Sequence, residues 1–517
     1  MRKRPVDQEA TGASTRGSSA WRLWLYGIGM LLPLTYFTWR YPLYRNSNGL
    51  TDLGKLARYG RGEFVWFAGG ALILFALYVL ALRESRRVSA QQAFTAVFGC
   101  GAAMAYVMTW MYPVSAIDVY FYALRSRLWT TYGANPISAL FKDYPHDAWA
   151  HLAHAQWAQV ASPYGPMWNL ISAPITYLAG DRILVALLGF KLLALICLIL
   201  GAAVIFRTLR ARGSTDAVTG AMLYLWNPLV LWETVGNGHN DVVMTLPLLL
   251  ALLAWVKRRD EVVIPLLVIA ALIKYVPLLL IPIAAIALWR RAETWPARWR
   301  LLVWSVGLSA LAVGISLYPF YDLAAVRNSV AHQGNILRMS PPAMAFSSLS
   351  RHYNNDQVKH WLRLAGLGIM LATLVWQAAG LWRRPSRLPR ACFELMYVFL
   401  VVATWYFNGW YLVWLVGLAA VLPWGWPAWR MIAWTAGSLA FYGLAIWIEA
   451  WWHPTFYALQ NTAVVLMFGG TLLLTVAEIA VRIFHDDRPV AGGRRGFAEE
   501  DEPGRPRQGN VHDVLRV

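Results

Sequence analysis

The chain reads as an all-α protein, a polytopic bundle of membrane-spanning helices, and three observations predict it. Hydrophobic residues fill 58% of its 517 positions and charged residues only 14%, against roughly 25% charged in a soluble domain. Apolar runs of about 20 residues, the length a bilayer demands, recur from residue 21 to residue 484. Lysine and arginine gather in the short segments between those runs, the bias that orients membrane proteins. The formal net charge of +19 is therefore read as inside loops, with no nucleic acid as partner. Cys100, Cys197 and Cys392 each fall inside an apolar run. They read as small buried side chains, with no disulfide and no metal-ligand spacing.

Taken in order, residues 1–20 are basic and polar and precede the first run as a retained cytoplasmic anchor would. The run 21–37 crosses outward and 64–82 returns to the basic RESRR at 83–87. The run 92–112 crosses outward again and delivers Asp118 to the external face. The next inside signal is RTLRAR at 207–212, and the single crossing 183–206 suffices to reach it. The segment 167–180, short and carrying Pro174, is therefore expected to be an interfacial or re-entrant helix.

The run 217–234 goes out and 242–256 returns to KRRD at 257–260. Basic segments bound the run 262–288 on both sides, so it reads as a hairpin broken near Lys274 and Pro277. Each half reaches only about 20 Å at the helical rise, short of a hydrocarbon core about 30 Å thick. Such breaks are tolerated around a protein-lined or watery cavity. The runs 301–320, 361–382, 392–407, 410–421, 431–448 and 460–484 bring the expectation to about 14 spans. External segments 113–165 and 321–360 should carry short interfacial helices, and 449–457 is a third, shorter one. The tail 485–517, nearly free of apolar residues, is expected to be disordered and cytoplasmic.

Four constellations carry chemistry. Asp118 stands where a span meets the aqueous face, and an ionisable group at that depth is costly enough to suggest function. Tyr122, Arg125 and Trp129 follow at helical spacing on its face, joining a carboxylate, an aromatic and a cation as a sugar site requires. The bland use of Asp118 is a helix cap or an ion pair with Arg125 or Arg127. The second constellation is the polar loop Asn237, His239, Asn240 and Asp241 between two apolar runs, which would line the pocket or merely cap the next helix. His239 and Asp241 have no firm third partner, so no metal is assigned. Third is Lys274 inside an apolar run, either snorkelling to the interface or holding a phosphate. Fourth is the loop with His332, Arg338, Arg351 and His352, placed to close over a substrate. No phosphate loop or dinucleotide fingerprint occurs, and no cofactor is called for.

These residues resemble the GT-C glycosyltransferases that use polyprenyl-phosphate sugars, above all the bacterial polyprenyl-phosphomannose-dependent α-mannosyltransferases. The family's external Asp corresponds to Asp118, and its G-x-NPY to Gly133-Ala134-Asn135-Pro136-Ile137. Its SPYGPL element stands here as Ser162-Pro163-Tyr164-Gly165-Pro166-Met167. GHND is Gly238-His239-Asn240-Asp241, and KxxP is Lys274-Tyr275-Val276-Pro277. Ile137 replaces the usual Tyr and Met167 the usual Leu. The resemblance covers roughly residues 90–420 and implies a GT-C-like domain over 21–484. It also implies an inverting hexose transfer, with mannose expected, in a multi-pass cell-membrane protein acting on the external face. Asp118 would then be the base, with Tyr122, Arg125, Tyr164, His239, Asn240, Asp241, Lys274, His332 and Arg338 binding substrate. The partners implied are a lipid-linked sugar donor, a glycolipid or glycan acceptor, and membrane lipids. The rival readings are a lipid-linked sugar transporter or flippase, or another lipid-dependent glycosyltransferase or ligase.

Overall fold

A computed structural model describes residues 20–154, 162–322, 324 and 337–486. The apolar runs fold as helices. Helix α1 (Trp21–Arg40) packs against both α2 (Arg61–Ser85) and α3 (Ala90–Thr109). Ser89 opens α3 by accepting the Gln92 N–H, one of the four donors a helix start leaves unpaired. The external segment then forms α4 (Asp118–Tyr132). Its end is set by Gly133 at φ +65°, which lets Gly133 and Ala134 return their N–H groups to Trp129 and Leu128 in a left-handed cap.

Helix α5 (Pro166–Ala179) begins on a proline, whose missing N–H costs nothing at a first turn. Its 14 residues reach about 21 Å, as expected for a segment too short to cross. It lies on α4 and on the long α6 (Ile183–Ala211). Helix α7 (Ala217–Leu225) stops early because the Asn227 side chain caps a new start at Leu229 and Val230. The chain continues through Pro228–Leu231 and a wide turn, Trp232–Gly236, into α8 (Asp241–Val256).

After α9 (Val263–Ile273) the backbone turns extended at Lys274 and resumes as α10 (Ile281–Arg291), so the predicted break falls where expected. The remaining helices are α11 (Trp295–Leu317), α12 (Pro341–Leu349), α13 (Asn355–Arg383), α14 (Leu388–Val398), α15 (Leu412–Ala420), α16 (Trp426–Trp452) and α17 (Phe456–Asp486). Nearly all of this belongs to one unit, Met1–Leu474. Of the second, Thr475–Val517, the described part is the last turns of α17, where Arg482 pairs with Glu478.

Among the described residues seven helices are long and apolar enough to cross a membrane, or eight if the bent pair around residues 237–240 is one span. That is fewer straight spans than the expected 14, and the reason is local. The run 217–234 is cut at Asn227, 262–288 at Lys274, and 392–407 ends in a wide turn, Phe399–Ala403. Helices α7 and α15 are buried on every side, and α8 on nearly every side, as helices apolar all round should be. They form the centre of the bundle. On α11 and α13, by contrast, Leu302, Val303, Trp304, Val375 and Trp376 are exposed, the surface a lipid phase would cover.

Candidate active site

The loop into Asp118 is held from two sides. Backbone bonds tie Tyr112 to Tyr41, Leu43 to Trp110 and Leu53 to Val114. On the other side Ser115 Oγ accepts from Asn237 Nδ2 at 2.7 Å and from Trp232 Nε1 at 2.9 Å. Asp118 therefore opens α4 directly against the polar loop 237–241. Gly238 stands at φ +81°, where an added Cβ would press on Val119 at 3.0 Å.

Asp118 keeps 28% of its side chain exposed while its partners are buried. Tyr164 donates to Oδ1 at 3.0 Å. His239 Nε2 faces Oδ2 at 3.8 Å, close enough for charge attraction but long for a hydrogen bond. Burial pushes the Asp118 carboxyl up, but His239, Tyr164 and the Lys274 charge together hold it below its ordinary value. At neutral pH it is an ionised carboxylate with an open side, able to take a proton.

The SPYG segment reaches Asp118 through a backbone contact that only glycine permits. Gly165 N–H donates to the Ile273 carbonyl at 3.0 Å, and a Cβ there would lie 2.0 Å from the Leu272 oxygen. The same contact fixes the break after α9, so Tyr164 and Lys274 are positioned by one joint. Tyr164 also meets the Tyr122 ring edge to face at 5.0 Å.

The polar loop points in three directions. His239 turns inward, with Nδ1 3.0 Å from Glu233 Oε2 and its ring stacked on Trp410 at 4.1 Å. Asn240 receives the Tyr122 hydroxyl at 3.3 Å, while its own buried Nδ2 has no partner. Asp241 takes Lys274 Nζ on both oxygens at 2.9 Å and Trp414 Nε1 at 3.1 Å. His239 and Asp241 therefore serve different partners, and among the described residues no group of three or more His, Cys, Asp and Glu could hold a metal ion.

Some expectations need correction. Asp118 pairs with His239, and not with Arg125 or Arg127. Arg125 sits on α4 as expected, but its guanidinium donates to the Ala139 carbonyl and lies over Phe121 at 4.8 Å. It lines a separate small cavity with Ile117, Leu124 and Phe141. Lys274, read as snorkelling or as holding a phosphate, has a protein partner that the sequence did not suggest, the Asp241 carboxylate. Arg338 is exposed, and its backbone pairs with Trp405 and Phe407. Tyr406, between them, feels the charges of both Arg338 and Asp118, so this segment borders the site. Arg351 and His352 are exposed on the turn after α12. His332 lies outside the described residues.

Sequence reasoning missed Glu233, Lys191, Trp410 and the Arg127 cluster. Lys191 is fully buried and donates to the carbonyls of Met111, Val235 and Gly236. It fastens the Asp118 loop to the wide turn. Its signal, a lysine inside an apolar run, was the same one that singled out Lys274.

Residues 37–290 match the family model described as "Alpha-(1->6)-mannopyranosyltransferase, N-terminal domain". The chain is 25% identical over 174 residues to Alpha-(1->6)-mannopyranosyltransferase A of Corynebacterium glutamicum, covering 33% of this chain and 34% of that protein. It is 27% identical over 158 residues to Alpha-(1->6)-mannopyranosyltransferase B of the same organism, covering 29% and 25%. The matches thus span about a third and a quarter of those relatives' own lengths. The model match contains Asp118, Tyr164, His239, Asp241 and Lys274. Through residues 37–290, just under half of its length, this multi-pass helical membrane protein is similar to the α-(1→6)-mannopyranosyltransferase family.

Proposed function

We propose that the protein transfers a hexose, mannose by its similarity to that family, from a polyprenyl-phosphate donor to a glycolipid or glycan acceptor at the external face of the membrane. The observation that carries this reading is the Asp118 carboxylate: ionised, partly open, and held by Tyr164 and His239 beside the Lys274–Asp241 pair. The acceptor hydroxyl gives its proton to Asp118 as its oxygen bonds to the sugar's anomeric carbon. The bond from that carbon to the phosphate oxygen breaks on the opposite face, and the configuration inverts. Loss of a base of this kind costs about 10²–10⁴ in rate.

A polyprenyl phosphate leaves as a stable anion, so the chain must supply positive charge more than acid. Preorganised charge is usually the largest catalytic contribution. Lys274 spends two N–H groups on Asp241 and keeps 15% of its side chain accessible. The third N–H is available to a phosphate at the break between α9 and α10. The Tyr411 ring lies 4.8 Å from the ammonium and completes its surroundings.

The test is transfer by purified, reconstituted protein from polyprenyl-phosphate mannose to a mannosylated acceptor lipid, followed by mass analysis of the product. Formation of an acceptor one hexose larger supports the reading. Donor movement across the vesicle with no new glycosidic bond would overturn it in favour of a flippase. The face is read separately by a cysteine at Ser214, which should resist impermeant thiol reagents in intact cells.

A further inference from the structure

The reaction proposed for Asp118 leaves the buried Glu233, which touches His239, without a part. Glu233 is fully buried, and its carboxylate meets His239 and Asn237. We propose that Glu233 is a positioning residue, which holds His239 as a doubly protonated imidazolium with its Nε2–H turned toward Asp118 and so sets the orientation of the base. This rests on the reading of Asp118 as that base.

The geometry follows from the wide turn Trp232–Gly236. Asn237 N–H bonds five residues back to Trp232 at 2.8 Å, and His239 N–H bonds to the Glu233 carbonyl at 3.1 Å. The extra residue in the turn swings the Glu233 side chain round to meet the imidazole. Nδ1 then faces two acceptors, Glu233 Oε2 and the Glu233 carbonyl, each at 3.0 Å, so it must carry hydrogen. Nε2 faces Asp118 Oδ2. A lone pair there would oppose a carboxylate, and a second N–H would attract it. The imidazolium alone suits both sides, bonding to Glu233 at Nδ1 and attracting Asp118 by its charge across the gap at Nε2.

The device is fixed in place from outside. Glu233 Oε2 also accepts from Asn237 Nδ2 at 2.9 Å, and Asn237 binds Ser115 in the loop that leads into Asp118. Trp410 stacks on the imidazole with 21° between the planes, which resists a ring flip. Gly409 leaves room beside the pair, since a Cβ there would stand 3.4 Å from Glu233 Oε1 and 3.1 Å from the Tyr442 hydroxyl. The titratable groups facing this chain of three are Tyr164 and Lys274 at Asp118, Tyr442 at Glu233, and Tyr122, Tyr406 and Tyr411 within electrostatic reach of Asp118.

The decisive experiment is the pH dependence of kcat for Glu233→Gln in the full-length reconstituted protein. Gln retains the shape but removes the charge that favours the imidazolium. Wild-type kcat should be level through the range in which an ordinary histidine titrates, around pH 6.5. In Glu233→Gln it should fall as pH rises through about 6–8, and recover to within about threefold of wild type at about pH 5.5, where the imidazole protonates unaided. Donor KM should stay unchanged. In a His239→Gln background Glu233→Gln should add no further loss, since residues acting as a unit are non-additive.

A Glu233→Gln rate that runs parallel to wild type at every pH would overturn the proposal, as would an additive loss in the double variant. If Glu233→Gln fails to fold, the wild-type profile still decides, because a limb in kcat near the ordinary histidine value contradicts a locked imidazolium. Asp118→Asn separates the two claims. Activity in that variant removes the base reading and this inference together, whereas an inactive Asp118→Asn beside a parallel Glu233→Gln profile removes only this inference.

Discussion

Helix α4 carries a charged cluster at each end, and the two are built differently. Near its C-terminal end Arg127 is saturated. It donates to Asp147 and Asp181 at 2.6 Å each and to the Gly180 carbonyl at 2.7 Å, over the Trp149 ring. Asp147 in turn accepts from Tyr132 and from the Trp149 N–H, each at 2.7 Å. At the N-terminal end Asp118 keeps an open side and a 3.8 Å gap to His239. There His239 Nε2 and Asn240 Nδ2 are buried without a hydrogen-bond partner. Buried polar groups are nearly always paired, so polar atoms left over beside an open carboxylate are in keeping with the proposed site. The saturated cluster holds the external segment onto α5, and the unsaturated one holds the open carboxylate of the proposed base.

The sharpest way to break this comparison is Asp118→Asn. It preserves size and the Tyr164 contact but removes the base, so transfer should fall by about 10²–10⁴ with the unfolding midpoint little changed. Near wild-type turnover in purified protein would mean that the open carboxylate is not the reactive one.

At the other end of α4 the expectation inverts. Arg127→Met leaves Asp147 buried without its cation, a change that typically costs about 3–5 kcal/mol. The unfolding midpoint in detergent should drop, while the protein that remains folded keeps its donor KM and kcat. A loss of kcat in folded protein at unchanged stability would show that the two clusters are not divided as described.

The Lys274–Asp241 pair lies between these extremes, since it is both an ion pair and a candidate clamp. Lys274→Met should reduce transfer by about 10²-fold and also destabilise, because Asp241 is left buried and charged. Lys274→Met with Asp241→Asn separates the effects. The neutral pair restores stability and still gives Trp414 an acceptor, but it offers no cation to a phosphate. Recovery of activity along with stability in the double variant would reduce Lys274 to a partner of Asp241.

Much of this was legible in the sequence, for reasons that differ by residue. The break at Lys274 was visible because a run with basic flanks on both sides cannot cross once. Asp118, Tyr164, His239 and Asp241 were visible because polar residues in apolar surroundings stand out and fall in recognisable motifs. Glu233 was hidden because it precedes the loop by several residues, and only the wide turn brings it back onto His239. Arg125 was misplaced because helical spacing assigns a face but not the carbonyl that a long side chain finds. The expected span count exceeded the number of long helices because hydropathy does not register a cap such as Asn227, which ends a helix inside the bundle.

The smallest effect should come from Tyr164→Phe, which removes a single hydrogen bond from Asp118 while leaving the ring against Tyr122. That bond favours the ionised form, so the variant's Asp118 carboxyl should move up toward the ordinary carboxylate value near 3.9. The sign is fixed: a depressed carboxyl stabilises the fold above its unfolded value and loses that contribution as pH falls through the folded value. The acid limb of kcat/KM should therefore shift to higher pH, by about one unit for a charge-assisted bond at the low end of its range. At neutral pH the carboxylate is ionised in both proteins, and the rate should fall less than tenfold, through looser placement alone. An acid limb that stays in place would mean that Tyr164 packs beside Asp118 without bonding to it. The open carboxylate would then owe its ionised state to His239 and Lys274 alone.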